Sequence, residues 1–384
     1  MGRTRRRRPI AVDLFCGVGG MSLGFEQAGF DVVAGFDAEQ RHVDTFQANF
    51  PRSKPFCLDL TQATGTHLRD LANIGNAEIG VVYGGPPCQG FSLIGKRKQD
   101  DPRNDLILHF ARLVAELQPS CFVMENVAGI RTAGGGSFVE RFIAAVAKAG
   151  YKVVAPPQVL NAADFGVPQN RRRLFVLGYR RGLAAPEYPV PGNGASHEWN
   201  RFDATALRPN VRDAIGDLPD IDEFDQLLAE DTVRARLGRQ SSYVRYLRGR
   251  VADSGDHALP RQWDPDLLTA SLRTAHRPES VTRFRKTRPG EYEAKSRLFR
   301  LRWDGLCPTI RAGTGPENGS FMAARPIHPE HNRCISVREA ARLHSFPDWF
   351  RFHPTKWHGF RQIGSSVPPL LARAVAGTLR EVLP

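Results

Sequence analysis

The residues best placed to do chemistry lie in Gly84-Gly85-Pro86-Pro87-Cys88-Gln89-Gly90-Phe91-Ser92. A thiol follows an apolar run, Ile79-Gly80-Val81-Val82-Tyr83, that reads as a short buried strand ended by glycines and prolines. Cys88 is thus presented at a strand end, where α/β enzymes place reacting groups. Alone, the loop admits a nucleophile or an inert buried cysteine. A carboxylate ends a second apolar strand in Val123-Met124-Glu125-Asn126-Val127, either as a helix cap or as a proton donor facing the same edge. Gln169-Asn170-Arg171-Arg172-Arg173-Leu174-Phe175 opens a third strand. Its period of two sets Arg171 and Arg173 on one face and Arg172 on the other, as site cations or as surface ion pairs.

A ligand turn precedes these groups. Asp13-Leu14-Phe15-Cys16-Gly17-Val18-Gly19-Gly20 joins the first strand to the first helix, and its glycines let backbone approach a ligand at the carboxyl edge of a sheet. The next strand ends in Asp37, at the spacing of an acidic residue that accepts ribose hydroxyls. Asp59 falls where the following crossover sets it beside a nucleoside base. The glycines depart from Gly-x-Gly-x-x-Gly, and this turn carries no Gly-x-x-x-x-Gly-Lys phosphate loop. A nucleoside cofactor without phosphates fits better, S-adenosylmethionine first among them, with Phe15 facing its sulfonium. A tight turn of any α/β fold is the alternative reading.

These groups need a scaffold. Candidate strands at Ile10–Phe15, Asp31–Phe36, Ile79–Tyr83, Cys121–Glu125, Val153–Leu160 and Leu174–Tyr179 alternate with candidate helices at Met21–Ala28, Gln40–Asn49, Asp105–Leu117 and Phe138–Ala149. That alternation predicts βαβ units and a parallel sheet. After the linker-like Gly182–Gly194 the alternation stops. Basic residues then accumulate from Arg273 to Arg302, with Phe284, Tyr292, Phe299 and Trp303 among them, as on a nucleic-acid surface, a solvated basic face being the alternative. Helices resume at Val337–Leu343 and Val367–Leu383. Across 384 residues, 53 Lys and Arg against 40 Asp and Glu leave a net charge of +13, which points to a polyanionic partner, nucleic acid ahead of membrane. The arginine-rich start, Met1–Pro9, reads as a solvated arm or as one that touches a phosphate backbone, and no segment approaches a membrane span. Six scattered cysteines, none in Cys-x-x-Cys, suggest neither a metal site nor disulfides. A soluble cytoplasmic protein is expected.

Together these parts resemble the DNA cytosine-5 methyltransferase family, of the bacterial restriction–modification type. The resemblance runs in family order through Asp13–Gly20, Asp37, Asp59, Pro-Pro-Cys-Gln, Glu125-Asn126-Val127 and Gln169-x-Arg171-x-Arg173. It continues through Pro308-Thr309-Ile310 with Gly313-x-Gly315, Arg338–Leu343 with Phe346-Pro347-Asp348, and Gln362-x-Gly364-x-x-Val367-Pro368.

The resemblance implies an α/β, Rossmann-like S-adenosylmethionine-dependent sheet with a smaller target-recognition domain. Residues 1–182 would form the catalytic and cofactor-binding domain and 183–330 the recognition domain. Residues 331–384 would return to the catalytic domain, the last helix meeting the first strand and completing the cofactor pocket. It implies that Cys88 attacks C6 of a flipped-out cytosine in duplex DNA, that Glu125 donates toward N3, and that Arg173, supported by Arg171, stabilises charge on the ring. Lys96-Arg97-Lys98 would belong to a loop that closes over the substrate. Cofactor contacts are implied for Asp13, Phe15, Gly17, Gly19, Asp37, Asp59, Leu60, Pro87, Leu106, Ser365 and Val367. Substrate contacts are implied for Gln89, Ser92, Asn126, Gln169 and Thr309, and no metal is expected. Gly364-Ser365-Ser366-Val367 departs from the family's usual Gly-Asn-Ser-Val, and Asp37 stands where glutamate is commoner. A monomer near the nucleoid, with a cognate restriction endonuclease as functional partner, completes the expectation. The alternatives are an RNA cytosine methyltransferase, whose usual Cys-Phe-Thr signature is missing here, and an inert DNA-binding protein on the same scaffold.

Overall fold

The computed structural model describes residues 8–87, 106–132, 136–191, 208–313 and 325–384. Strands β1 (Ile10–Leu14), β2 (Asp31–Asp37), β3 (Lys54–Cys57), β4 (Ile79–Gly84), β5 (Cys121–Val127), β6 (Tyr151–Val153), β7 (Gln158–Asn161) and, after the two-residue β8 (Gln169–Asn170), β9 (Arg172–Arg180) supply one mixed sheet. Its order is β3-β2-β1-β4-β5-β9-β6, with β7 also on β9; β8 pairs elsewhere. The first five strands are mutually parallel, whereas β9 runs antiparallel to β5, β6 and β7. The all-parallel expectation fails at β9 because a short connection from β7 admits only an antiparallel return. The single strand expected at Val153–Leu160 is two, divided at Pro156-Pro157, where the chain lacks ladder donors.

Helices α1 (Gly20–Gln27), α2 (Gln40–Asn49), α3 (Gly65–Leu71), α4 (Leu106–Leu117) and α5 (Ser137–Lys148) accompany the strands. Alternation along β1 divides the core: Val12 and Leu14 pack with Phe110, Leu113 and Phe142 on one face, and Ala11 packs on the other with Leu23, Phe25 and Leu371. Every residue of α1 is buried. Its cover is α11 (Pro369–Val382), so close that a Cβ on Gly24 would lie 2.5 Å from the Ala372 Cβ. The last helix described therefore lies against α1, on the face of the sheet that carries Ala11.

Two short helices, α6 (Val211–Ile215) and α7 (Ser242–Leu247), share that second core with α9 (Val337–Leu343). The Tyr243 hydroxyl donates to the Arg342 carbonyl at 2.6 Å. Further along, Arg261 pairs with buried Glu26 of α1 at 2.8 Å, and Gln27 donates to Asp256 at 2.9 Å. Two-residue strands β10 (Val233–Arg234) and β11 (Leu267–Leu268) pair antiparallel beside α7. Helix α8 (Pro278–Lys286) contributes Phe284 to a separate small cluster with Ile327 and Cys334. Strand β12 (Cys307–Pro308) pairs with β8, and α10 (Lys356–Ser365) leads into α11.

Candidate active site

In this sheet β1 and β4 lie side by side where the strand order reverses, and ligands of open α/β sheets bind at the carboxyl ends flanking such a point. The strands approach so closely that a Cβ on Gly84 would fall 1.8 Å from the Leu14 carbonyl oxygen. Past β1 the chain turns at once. Phe15 (φ 63°), Gly17 (φ 53°) and Gly19 (φ 89°) are all left-handed, a cost that a β-carbon makes appreciable only at Phe15. Beneath the turn, Ser22 donates to the buried Asp13 carboxylate at 2.5 Å and shares a 2.9 Å hydrogen bond with the Tyr83 hydroxyl. Burial, only partly offset by Ser22, pushes the Asp13 carboxyl well above its usual range, and nearby Asp37 adds to the shift. Asp13 thus supports the turn from below.

Asp37 closes the opposite side of the turn. It accepts from the Gly17 N–H at 2.9 Å and the Glu39 N–H at 2.9 Å, and the His42 Nδ1 lies 3.2 Å away. A Cβ on Gly17 would meet nothing within 4 Å, so open space adjoins the held carboxylate. Leu60 is buried and Asp59 exposed at the next strand's exit. An acceptor for ribose hydroxyls, an aromatic ring at Phe15 and an apolar side chain at Leu60 make a set that fits a nucleoside carrying a cation. Val367 packs where α1 begins, its carbonyl oxygen 2.6 Å from a Cβ on Gly20. Ser365 turns its hydroxyl back onto the Arg361 carbonyl at 2.9 Å, so that proton is spent within α10. Leu106 opens α4 and is half-buried, and Pro87 is exposed.

One strand over, Glu125 sits near the end of β5 with 8% of its surface exposed. The Arg173 Nε lies 3.0 Å from its Oε1. Burial raises the Glu125 carboxyl above its ordinary range, and Arg173 first, then Arg171, oppose the rise. A Cβ on Gly85 would stand 2.8 Å from the Glu125 Oε2, so glycine is what lets the loop out of β4 pass this carboxylate. Asn126 donates to the Pro86 carbonyl at 3.0 Å and accepts from the Val127 N–H at 2.9 Å. Asn126 therefore braces the loop. The residue after Pro87 is Cys88, which with Gln89, Ser92 and Lys96-Arg97-Lys98 lies outside the described residues.

The two arginines of β8–β9 part company. Arg173 faces Glu125, while Arg171 is 1% exposed and gives its guanidinium to the carbonyls of Ile310 (2.9 Å), Gly364 (2.7 Å) and Ser366 (2.7 Å). It thereby ties three distant segments together. Gln169 is likewise wholly buried, donating to the Leu343 carbonyl at 3.2 Å and accepting from the Ile310 N–H at 3.1 Å. Its other neighbour is the His344 Nδ1 at 3.0 Å, while the His344 Nε2 lies 3.0 Å from the Ser366 carbonyl. Thr309 donates to the Asn170 carbonyl at 2.7 Å. Gln169 and Thr309, read from the sequence as substrate contacts, thus fasten β8 to the segment leading out of β12. His344 escaped the sequence reading because a lone histidine after a short helix carries no signal.

The basic-aromatic segment also divides. Arg300 is buried and donates to the carbonyls of Phe284 (2.6 Å) and Glu330 (2.7 Å); Arg302 pairs with Asp304 at 2.8 Å. Arg285, Lys286, Arg288 and Lys295 remain exposed. Gly315 lies outside the described residues, as do residues 1–7 of the basic arm.

Fold and site together define an α/β transferase with a glycine turn at the switch point and a buried acid–guanidinium pair at the neighbouring strand end. The chain belongs to the C-5 cytosine-specific DNA methylase family, whose model matches residues 10–381. It is a DNA cytosine-5-methyltransferase, and its methyl donor is S-adenosylmethionine. It is 51% identical to the type II methyltransferase M.XorII of Xanthomonas oryzae pv. oryzae, across 98% of this chain and 85% of that protein. It is 31% identical to the type II methyltransferase M.AgeI of Thalassovita gelatinovora, across 96% and 98% of the two chains. Among solved structures, one described as a DNA modification methyltransferase encoded within an E. coli prophage is 33% identical, with a TM-score of 0.79 over 97% of this chain and 99% of that one. The S. pombe Dnmt2 methyltransferase, 15% identical with a TM-score of 0.57 over 98% of each chain, shares the fold. Among the described residues no helix is long and apolar enough to cross a membrane.

Proposed function

We propose that this enzyme methylates C5 of a flipped-out cytosine within a specific duplex sequence, through a covalent bond between the Cys88 sulfur and C6. The observation that carries the reading is the Glu125–Arg173 pair, buried against the Gly85-Pro86-Pro87 exit that leads directly into Cys88. A cytosine ring resists attack at C6 until N3 gains a proton. Glu125, its carboxyl raised by burial, is suited to hold that proton and pass it to N3 as the thiolate adds. Arg173 would hold the charge that gathers on the ring, and its bond to Glu125 keeps both groups on one edge of the base. C5 then becomes nucleophilic. S-adenosylmethionine, held by Asp37, Phe15 and Leu60, supplies an electrophilic methyl group at that carbon. Loss of the C5 proton to a base and departure of Cys88 restore the aromatic ring. The base reaches these groups only outside the duplex, and unstacking it costs a few kcal/mol that contacts elsewhere must offset.

Those contacts are assigned to a recognition lobe within residues 183–330, with 1–182 and 331–384 forming the catalytic part. The exposed basic side chains of α8 and its surroundings support this assignment, as does the separate cluster around Phe284. Relatives named as type II methyltransferases support a role as the modification partner of a restriction endonuclease; the same reading has the enzyme act as a monomer in the cytoplasm at the nucleoid. The test is a duplex with 5-fluorocytosine at the target, whose fluorine cannot leave as a proton. A denaturation-resistant adduct that requires S-adenosylmethionine and is missing in Cys88→Ala is the expected result. Adduct formation by Cys88→Ala would sink the nucleophile assignment. Methylation of RNA but no duplex would sink the substrate assignment.

A further inference from the structure

Away from the active site, a groove of about 530 Å³ opens between the chain leaving β10 and the end of α7. Its walls carry Arg236, Arg245, Arg248 and Arg250 against one carboxylate, Asp266. Arg236, Arg245 and Arg250 are exposed, and none has a carboxylate partner among the described residues. Arg248 is different. Its side chain is 4% exposed, bonded to Asp348 at 2.6 Å and to the Pro265 carbonyl at 2.7 Å, and its Nε is buried without a partner. Asp348 also binds Arg342, which reaches Asp217, and the Asp217 carbonyl accepts from Gly238 in the groove wall at 2.7 Å. Floor and wall are therefore hung from one buried ion network, so the arginines stand on a fixed base.

Converging like charges repel, and among the described residues the three exposed arginines of this wall have no carboxylate partner of the kind that neutralises Arg261 at Glu26 and Arg373 at Asp253. We infer that the groove is a binding site for the phosphodiester backbone of duplex DNA, separate from the recognition surface on α8. The inference rests on duplex DNA being the substrate, and it adds a sequence-independent grip. Guanidinium forks match phosphate oxygens, and each phosphate neutralised releases counterions.

The test uses the full chain and a mixed-sequence 40-bp duplex, so it does not depend on knowing the methylated site. Binding is measured by anisotropy across a salt series for wild type, R236Q/R245Q/R250Q and the matching triple Lys variant. Calorimetric titration with S-adenosylmethionine verifies folding; if the triple Gln variant fails it, R236Q and R250Q singly replace it. The log–log salt slope is expected to shrink by about 2 to 3 in the Gln variant, roughly 0.9 per phosphate, and to recover with Lys. An unchanged slope and affinity in a folded Gln variant overturns the inference. Failure of wild type to methylate any duplex cytosine would instead count against the function proposed above.

Discussion

The side-chain amide of Asn126 holds the carbonyl of Pro86 at 3.0 Å, tying the exit of β4 to the strand that carries Glu125. The carboxylate and the loop leading to the thiol are thereby set in register by one hydrogen bond between neighbouring strand ends. Asn126→Ala leaves the Pro86 carbonyl and the Val127 N–H without these partners, at about 1–3 kcal/mol. Single-turnover methyl transfer should fall at least tenfold while cofactor affinity, measured by calorimetry, changes little. An equal loss in both would place Asn126 in the cofactor pocket instead.

Glu125→Gln removes the proton but keeps the shape. Transfer should slow by roughly 10²- to 10⁴-fold, with duplex binding retained. Because burial raises this carboxyl, its protonated form persists to higher pH than in an exposed glutamate and disappears as pH climbs through the raised value. The alkaline decline of the wild-type single-turnover rate should therefore be absent from the variant. A decline of equal steepness in both would assign it to another group.

Arg171→Lys tests positioning. A single ammonium cannot serve the Ile310, Gly364 and Ser366 carbonyls at their present places, and leaving them unpaired costs about 1–3 kcal/mol each. A lowered melting temperature is expected, with KM for S-adenosylmethionine raised more than kcat is lowered. A fall in kcat alone would return Arg171 to the reacting base.

Lys356 of α10 is buried and donates to the Thr274 hydroxyl. Burial, reinforced by nearby Arg325, pulls its ammonium down to about 7. Between that value and the ordinary lysine range the unfolded chain binds the extra proton, so this residue makes stability rise with pH and weaken as pH falls toward neutrality. Its share of the slope is at most about 1.4 kcal/mol per pH unit. Urea unfolding of Lys356→Met at several mildly alkaline pH values should show that share removed; an unaltered slope would mean the lysine stays charged.

Neutralising Arg285 and Lys286 together should weaken duplex binding and reduce its salt dependence, whereas Arg302→Gln, which breaks a pair with Asp304, should do less. The reverse ranking would remove α8 from the DNA surface.

Much of this site could be read from residue order. An apolar run stopped by glycine and proline marks a strand end, which is why Gly84–Pro87, Asp37 and Glu125 were anticipated at the sheet's edge. Period-two alternation also separated Arg171 and Arg173 from Arg172, which is exposed. What a polar side chain meets on its own face was not legible. Arg171 and Arg173 share a strand face, yet one finds carbonyls 139 to 195 positions away and the other a carboxylate. For the same reason the sequence did not reveal that Gln169, Thr309 and Ser365 each donate to a backbone carbonyl within the protein. The antiparallel β9 was missed because an apolar run carries no direction.

Helix α1 is buried on every side, and its cover, α11, lies near the far end of the chain. During synthesis the first helix thus emerges with its apolar surface bare and waits while nearly all remaining residues are made. Such long-range closure slows folding and leaves the nascent chain dependent on protection from aggregation. The glycine turn after β1 is anchored to that same helix, so the docking of α11 and the integrity of the turn are coupled.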